Sequence, residues 1–113
     1  MALEPPLELS FDIGGMWEKV QAMLSDSLDA LVGMNTELAE AVYVRDDEVD
    51  RMKREMRVGI EEAARRQPEL MGRLLKLLAV SRNLERIADY SANIAQDVIY
   101  MVNGIIVRHR ERG

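Results

Sequence analysis

Three long stretches of the sequence repeat apolar residues at intervals of three and four positions, and two short breaks separate them. This spacing places the apolar side chains on one face of an α-helix. We predict helices over residues 12–34, 36–66 and 68–103. Asn35 or Thr36 caps the second helix. Pro68 begins the third, where its missing N–H does no harm, and Gly104 is expected to end it. The sequence therefore predicts an all-α fold, an antiparallel up-down-up bundle of three long helices.

The chain has 113 residues, which is the length of one domain. We expect an extended leader over 1–11, where Pro5 and Pro6 disfavour a helix, the three-helix bundle over 12–104, and a basic tail over 105–113. A bundle this long and thin exposes much surface. A homodimer, or packing against a second repeat of the same kind, is therefore expected.

The composition favours helix-on-helix packing over a sheet. Only five residues are aromatic, whereas eight are Met. Met is unbranched and fills irregular gaps between helices. We expect seven methionines to fill the core: Met16, Met23, Met34, Met52, Met56, Met71 and Met101.

The net charge of −5 and the pI near 4.9 argue against nucleic-acid binding, which needs clustered Lys and Arg. An acidic chain fits a cation or a basic protein partner better. The sequence has no Cys, which excludes a thiolate metal site and a Cys nucleophile. No targeting segment and no membrane-spanning window are visible. We expect a cytoplasmic protein with at most peripheral membrane association.

Polar residues recur at intervals of four on the third predicted helix. They are Glu85, Asp89, Asn93 and Asp97. This spacing stacks their side chains in one stripe beside an apolar seam. Such a stripe can hold a cation with oxygen ligands, and it can equally be a solvated helix face.

The second predicted helix has a similar pair, Asp46 and Asp50. Carboxylates brought together across two helices repel one another, and a hard cation such as Fe, Mn, Mg or Ca would relieve that repulsion. Pairing with nearby cations is the alternative, because Arg82 and Arg86 lie close to the stripe in sequence. Spacing alone favours solvated charge.

Enzyme chemistry has little support in the sequence. The di-iron bundle signature needs Glu-x-x-His on two helices, but the single histidine, His109, lies in the tail. No Ser-His-Asp set can be built around it, and there is no Gly-rich phosphate loop. We therefore expect no enzyme activity, and a carboxylate-bridged metalloenzyme is disfavoured.

The segment from Leu84 to Ala95 closely resembles the signature of the PhoU family, Leu-Glu-Arg-Ile-Gly-Asp-His-Ala-x-Asn-Ile-Ala. The segment Leu38–Val42, followed by Asp46–Asp50, resembles the same family more loosely. Two positions depart from the signature, because Ala88 replaces Gly and Tyr90 replaces His. The resemblance implies a three-helix bundle that usually occurs twice in tandem, and this chain is most similar to the second copy.

The resemblance also implies a metal site and a regulatory role. Family members bind metal through Glu/Asp-x-x-x-Asp motifs. The implied ligands here are Asp46, Asp50, Glu85 and Asp89, with Asn93 where the stripe continues. Divalent or trivalent ions such as Fe, Mn, Mg or Zn are the implied cofactors.

The implied function is that of an adaptor in phosphate-dependent signalling. Such an adaptor acts as a negative regulator between a phosphate ABC transporter and a sensor histidine kinase. The expected partners are the transporter ATPase and that kinase. The alternative is a metal-free helical scaffold in which the acidic stripe is only solvated charge.

Overall fold

A computed structural model describes the backbone of residues 12–112 and the side chains of residues 12–105. Helix α1 spans Ile13–Gly33 and α2 spans Thr36–Arg66. A short 3-10 helix over Pro68–Leu70 leads into α3, which spans Met71–Arg112. The predicted all-α bundle is confirmed. The predicted leader over 1–11 lies outside the described residues, and the division into leader, bundle and tail stays a prediction.

The helix starts follow from local capping chemistry. The side chain of Asp12 accepts a hydrogen bond from the Gly15 N–H at 2.9 Å and caps α1. Asn35 caps α2 by accepting from the Leu38 N–H at 3.1 Å. Pro68 stands at the first position of the 3-10 helix, where no N–H is needed. The two predicted breaks are therefore confirmed.

The predicted end of the third helix at Gly104 is wrong. Helix α3 continues through Gly104 to Arg112. A glycine ends a helix by taking a positive φ, and none of the glycines in the described part of the chain does so. An interior glycine costs about 1 kcal/mol relative to Ala, which is too little to stop a helix whose flanking residues continue it. At the end of α1, the positive φ of 50° belongs to Met34 instead.

Ion pairs between helices show that α1 and α2 are antiparallel. Lys19 of α1 pairs with Glu48 of α2, and further along α1 the Asp26 carboxylate is 2.5 Å from the Arg45 guanidinium. The numbers rise along α1 as they fall along α2. Arg45 interrupts the apolar pattern of α2, and its ion pair with Asp26 joins α2 to α1.

The core runs along the contact of all three helices, in a molecule of 68 × 27 × 16 Å. Its buried residues are Met16, Val20, Met23, Ala30, Ala39, Val42, Val49, Met56, Leu84, Ala88, Ala95 and Val98. The prediction that Met34, Met71 and Met101 fill the core is wrong, because they are 37%, 45% and 42% exposed. In the described part of the chain, no helix is long and apolar enough to cross a membrane.

Candidate functional site

The predicted site residues lie on α2 and α3, which pack against each other. Asp46 and Asp50 are half-buried, one turn apart on α2. On α3, Glu85 is half-buried and Asp89 is exposed one turn further on. We call the surface formed by these four carboxylates the acidic groove. Asn93 is exposed one turn beyond Asp89, and its side chain makes no hydrogen bond within the described residues.

The Asp46 carboxyl is affected by charges on both α2 and α3. Burial raises the pKa of the Asp46 carboxyl, and the negative charges of Asp50, Asp89 and Asp47 raise it further. The ammonium of Lys53 acts in the opposite direction. Asp46, Asp50 and Asp89 therefore share one electrostatic neighbourhood across the groove between α2 and α3.

Lys53 is a groove residue that the sequence analysis missed. Its Nζ lies 3.8 Å from the Glu85 Oε2, so it joins α2 to α3, and both side chains are about one-third exposed or less. Lys53 stands seven residues after Asp46, which is two helical turns and hence the same face. That spacing is the signal that could have identified it. The sequence offers Arg82 and Arg86 of α3 as alternative partners of these carboxylates.

The donor chemistry of the groove fits a hard cation. Carboxylate oxygens are the ligands that Mg²⁺, Mn²⁺ and Fe ions take, and a bound cation would relieve the repulsion that raises the pKa of Asp46. Within residues 12–105, however, no three His, Cys, Asp or Glu side chains are gathered closely enough to hold a metal ion. Binding at this groove would therefore require its carboxylates to draw closer together.

The raised pKa of Asp46 has a consequence for stability. The ionised form of Asp46 is disfavoured in the folded state. Ionisation of Asp46 therefore lowers the free energy of unfolding at pH values above its folded-state pKa. That cost disappears as the pH falls through the folded pKa towards the ordinary value of 3.8. We expect Asp46→Asn to raise the free energy of unfolding at pH 7 by less than about 1 kcal/mol, because solvent screens a partly exposed group.

Urea unfolding of the wild type and of Asp46→Asn over a pH series measures this effect. The gain should shrink steadily below neutral pH and vanish under the ordinary carboxyl pKa. Asp29→Asn, at an exposed carboxylate of α1, is the matched control and should show no such trend. A gain independent of pH would contradict the electrostatic explanation.

Comparisons with known proteins give a consistent result. Residues 13–98 match the family model described as the PhoU domain. The chain is 37% identical to a "Phosphate-specific transport system accessory protein PhoU homolog" of Pseudomonas aeruginosa, over 80% of the chain and 38% of that protein. It is 34% identical to a homologue of that name in Aquifex aeolicus, over 97% of the chain and 50% of that protein.

A further similar protein is the PhoU homolog 2 of Thermotoga maritima, 34% identical over 89% of the chain and 43% of that protein. The chain thus spans half or less of the length of these curated relatives. No solved structure matches it.

Proposed function

The chain belongs to the PhoU family, and on that premise we propose that it is a regulatory adaptor in phosphate-dependent signalling. It acts as a negative regulator between a phosphate ABC transporter and a sensor histidine kinase, and it binds the transporter ATPase and that kinase. This role is not enzymatic. It belongs in the cytoplasm, with at most peripheral contact with the membrane. The names of the relatives, accessory proteins of phosphate-specific transport, support the proposal.

The observation that carries the proposal is the acidic groove. Asp50 of α2 and Asp89 of α3 both raise the pKa of the Asp46 carboxyl there, and Asp46 is half-buried. A groove of this kind attracts a basic surface or a cation by charge complementarity. The outer surface of a long, thin bundle gives a partner protein ready access to it.

A bound metal ion is part of the proposal. Asp46, Asp50 and Asp89 would hold it, with Glu85 and Asn93 as further oxygen donors, and Fe, Mn, Mg or Zn are the candidate ions. The ion would supply positive charge that cancels the carboxylate repulsion. The ligands on α2 and α3 would then be fixed relative to each other, which gives a partner a stiffer surface.

A metal-free scaffold is the second candidate, and one contact favours it. Lys53 already places a cation beside Glu85 and acts favourably on the ionised form of Asp46. The groove then needs no further ion to be stable, and its remaining negative charge serves to bind a basic partner. The acidic groove is the docking surface in both candidates. They differ only in whether a metal ion is bound there.

A binding assay with the two expected partners tests the adaptor role. The transporter ATPase and the sensor kinase are immobilised, and binding of the wild type is compared with that of Asp46→Asn/Asp89→Asn. We expect the groove variant to bind about 10-fold more weakly, because two charges of the docking surface are lost. Asp29→Asn/Glu62→Gln removes two exposed charges elsewhere on the bundle and should bind like the wild type.

Two outcomes would count against the proposal. If the wild type binds neither the ATPase nor the kinase, the adaptor role is wrong. If the groove variant and the control variant bind equally well, the docking surface lies elsewhere on the bundle.

A further inference from the structure

Lys53 places an ammonium in the acidic groove, beside Glu85. The Lys53 Nζ is 3.8 Å from the Glu85 Oε2, whereas a close charge-assisted hydrogen bond measures about 2.8 Å. The two side chains are 34% and 25% exposed, so water reaches both of them. The ion pair can therefore open without separating α2 from α3.

The other carboxylates of the groove lie within a few turns of this ion pair. On α2, Asp50 and Asp46 precede Lys53 by three and seven residues, about 5 Å and about 10 Å along the helix axis on the same side. On α3, Asp89 lies one turn beyond Glu85. The Lys53 ammonium acts to lower the pKa of Asp46, but burial and three carboxylates raise it. One positive charge thus offsets only part of the negative charge of the groove.

Lys53 and a hard cation would compete for the Glu85 carboxylate. Hard cations take carboxylate oxygens as ligands, and the Glu85 Oε2 already lies beside the Lys53 ammonium. Within residues 12–105 no three acidic side chains are close enough to hold a metal ion, so binding requires Glu85 and its neighbours to draw together. The ion pair with Lys53 opposes that movement, because two positive charges that share one carboxylate repel each other.

We propose that Lys53 is a specificity-determining residue of the acidic groove. Its ammonium occupies the groove as a tethered cation, and it releases Glu85 only when a divalent cation takes that carboxylate. This role of Lys53 rests on the proposed function, since the competing ion is the metal ion proposed for the same groove. The chain thus carries its own competitor for that ion.

A lysine suits the role of a displaceable cation better than an arginine would. Its ammonium is a compact, strongly hydrated point charge on a flexible stem, whereas a guanidinium binds a carboxylate through two parallel hydrogen bonds. A partly exposed ion pair contributes little to stability, so its opening costs little. A monovalent ion has no advantage in charge over the ammonium, but a divalent ion has twice its charge. Lys53 therefore selects for divalent ions.

Isothermal titration calorimetry with Mn²⁺, on protein stripped with a chelator, tests this role. We expect Lys53→Met to bind Mn²⁺ about 10-fold more tightly than the wild type, because the competing charge is lost while a long side chain is kept. Lys53→Arg keeps the charge and binds Glu85 more firmly, so it should bind Mn²⁺ no more tightly than the wild type.

Lys19→Met is the matched control. Lys19 pairs with Glu48 between α1 and α2, and its side chain is 33% exposed, close to the 34% of Lys53. The substitution removes the same charge outside the acidic groove, where salt screens its effect, so the Mn²⁺ affinity should change by less than about 2-fold. Circular dichroism of each variant establishes that it is folded.

The NMR signals of the lysine ε-carbons give a readout that does not depend on affinity. The wild type is titrated with Mg²⁺, which is diamagnetic and leaves the signals sharp. We expect the Lys53 signal to move as its ammonium leaves Glu85, with the same midpoint as Mg²⁺ binding. The Lys19 signal should stay in place, because its ion pair lies on the α1 side of α2.

The outcomes separate the role of Lys53 from the metal ion of the proposed function. Equal Mn²⁺ affinity of Lys53→Met and Lys19→Met, including no binding by either, would overturn the role of Lys53. An unmoved Lys53 signal in a wild type that binds Mg²⁺ would do the same. If only Lys53→Met binds Mn²⁺, the role of Lys53 is supported, and the wild type is the metal-free scaffold.

Discussion

Replacing Leu74 with Ala is expected to lower the free energy of unfolding by about 3 kcal/mol. Leu74 is fully buried. Lys53 lies opposite Glu85 in the antiparallel pair α2/α3, so the register places Leu74 opposite the region around Ala63, which is also buried. A truncated side chain there leaves a cavity that small neighbours cannot fill. Urea unfolding followed by circular dichroism measures the loss.

The next residue supplies the matched control for this prediction. Leu75 is 57% exposed, so Leu75→Ala removes the same atoms from a position that stays in water. We expect it to change the free energy of unfolding by less than about 0.5 kcal/mol. Similar losses for the two variants would show that Leu74 is not the buried partner of α2 in solution.

Removing the carboxylates of Asp46 and Asp89 together is expected to weaken metal binding by about 100-fold. One residue comes from each helix, and both belong to the carboxylates that influence one another in the groove. The change to Asn keeps the size of each side chain and removes its charge. Isothermal titration calorimetry with Mn²⁺, on protein first stripped with a chelator, measures the affinity.

The control for the metal titration is Asp29→Asn/Glu62→Gln, which changes the net charge equally at exposed positions outside the groove. It should bind Mn²⁺ like the wild type. A wild type that binds no Mn²⁺, Fe²⁺, Mg²⁺ or Zn²⁺ would favour the metal-free scaffold. If Asp46→Asn/Asp89→Asn binds as tightly as the control, the ligands are other residues.

Much of the fold could be predicted because the signals are local. Asn35 has a side chain that caps a helix and Pro68 lacks an N–H, and each acts within one turn of its own position. The spacing of Met16, Val20 and Met23 likewise determines which side of α1 turns inward. None of these inferences requires knowledge of the neighbouring helices.

The features that could not be predicted depend on which other helix packs against each residue. Helical spacing gives the direction of a side chain but not whether another helix covers it. The prediction of Met34, Met71 and Met101 as core residues is wrong for this reason. The sequence likewise does not determine whether α3 ends at Gly104. Glycine permits the positive φ that ends a helix but does not require it.

The acidic groove was predicted only in outline. The four-residue spacing of Asp46 with Asp50, and of Glu85 with Asp89, predicts one row of carboxylates on each helix. Whether the rows influence each other depends on the register of α2 against α3, which the ion pair of Lys53 with Glu85 reveals. The raised pKa of Asp46 arises from burial and from charges on both helices, so no single segment of sequence contains it.

The two connections described above, Met34–Asn35 and the turn at Gln67, also bear on how fast the chain folds. Each joins helices that are adjacent in sequence and antiparallel in space, so the α1/α2 and α2/α3 contacts close short stretches of chain first. Low contact order of this kind is associated with folding in microseconds to milliseconds. Only the parallel contact of α1 with α3 must wait for both turns, which makes that packing the natural last step of assembly.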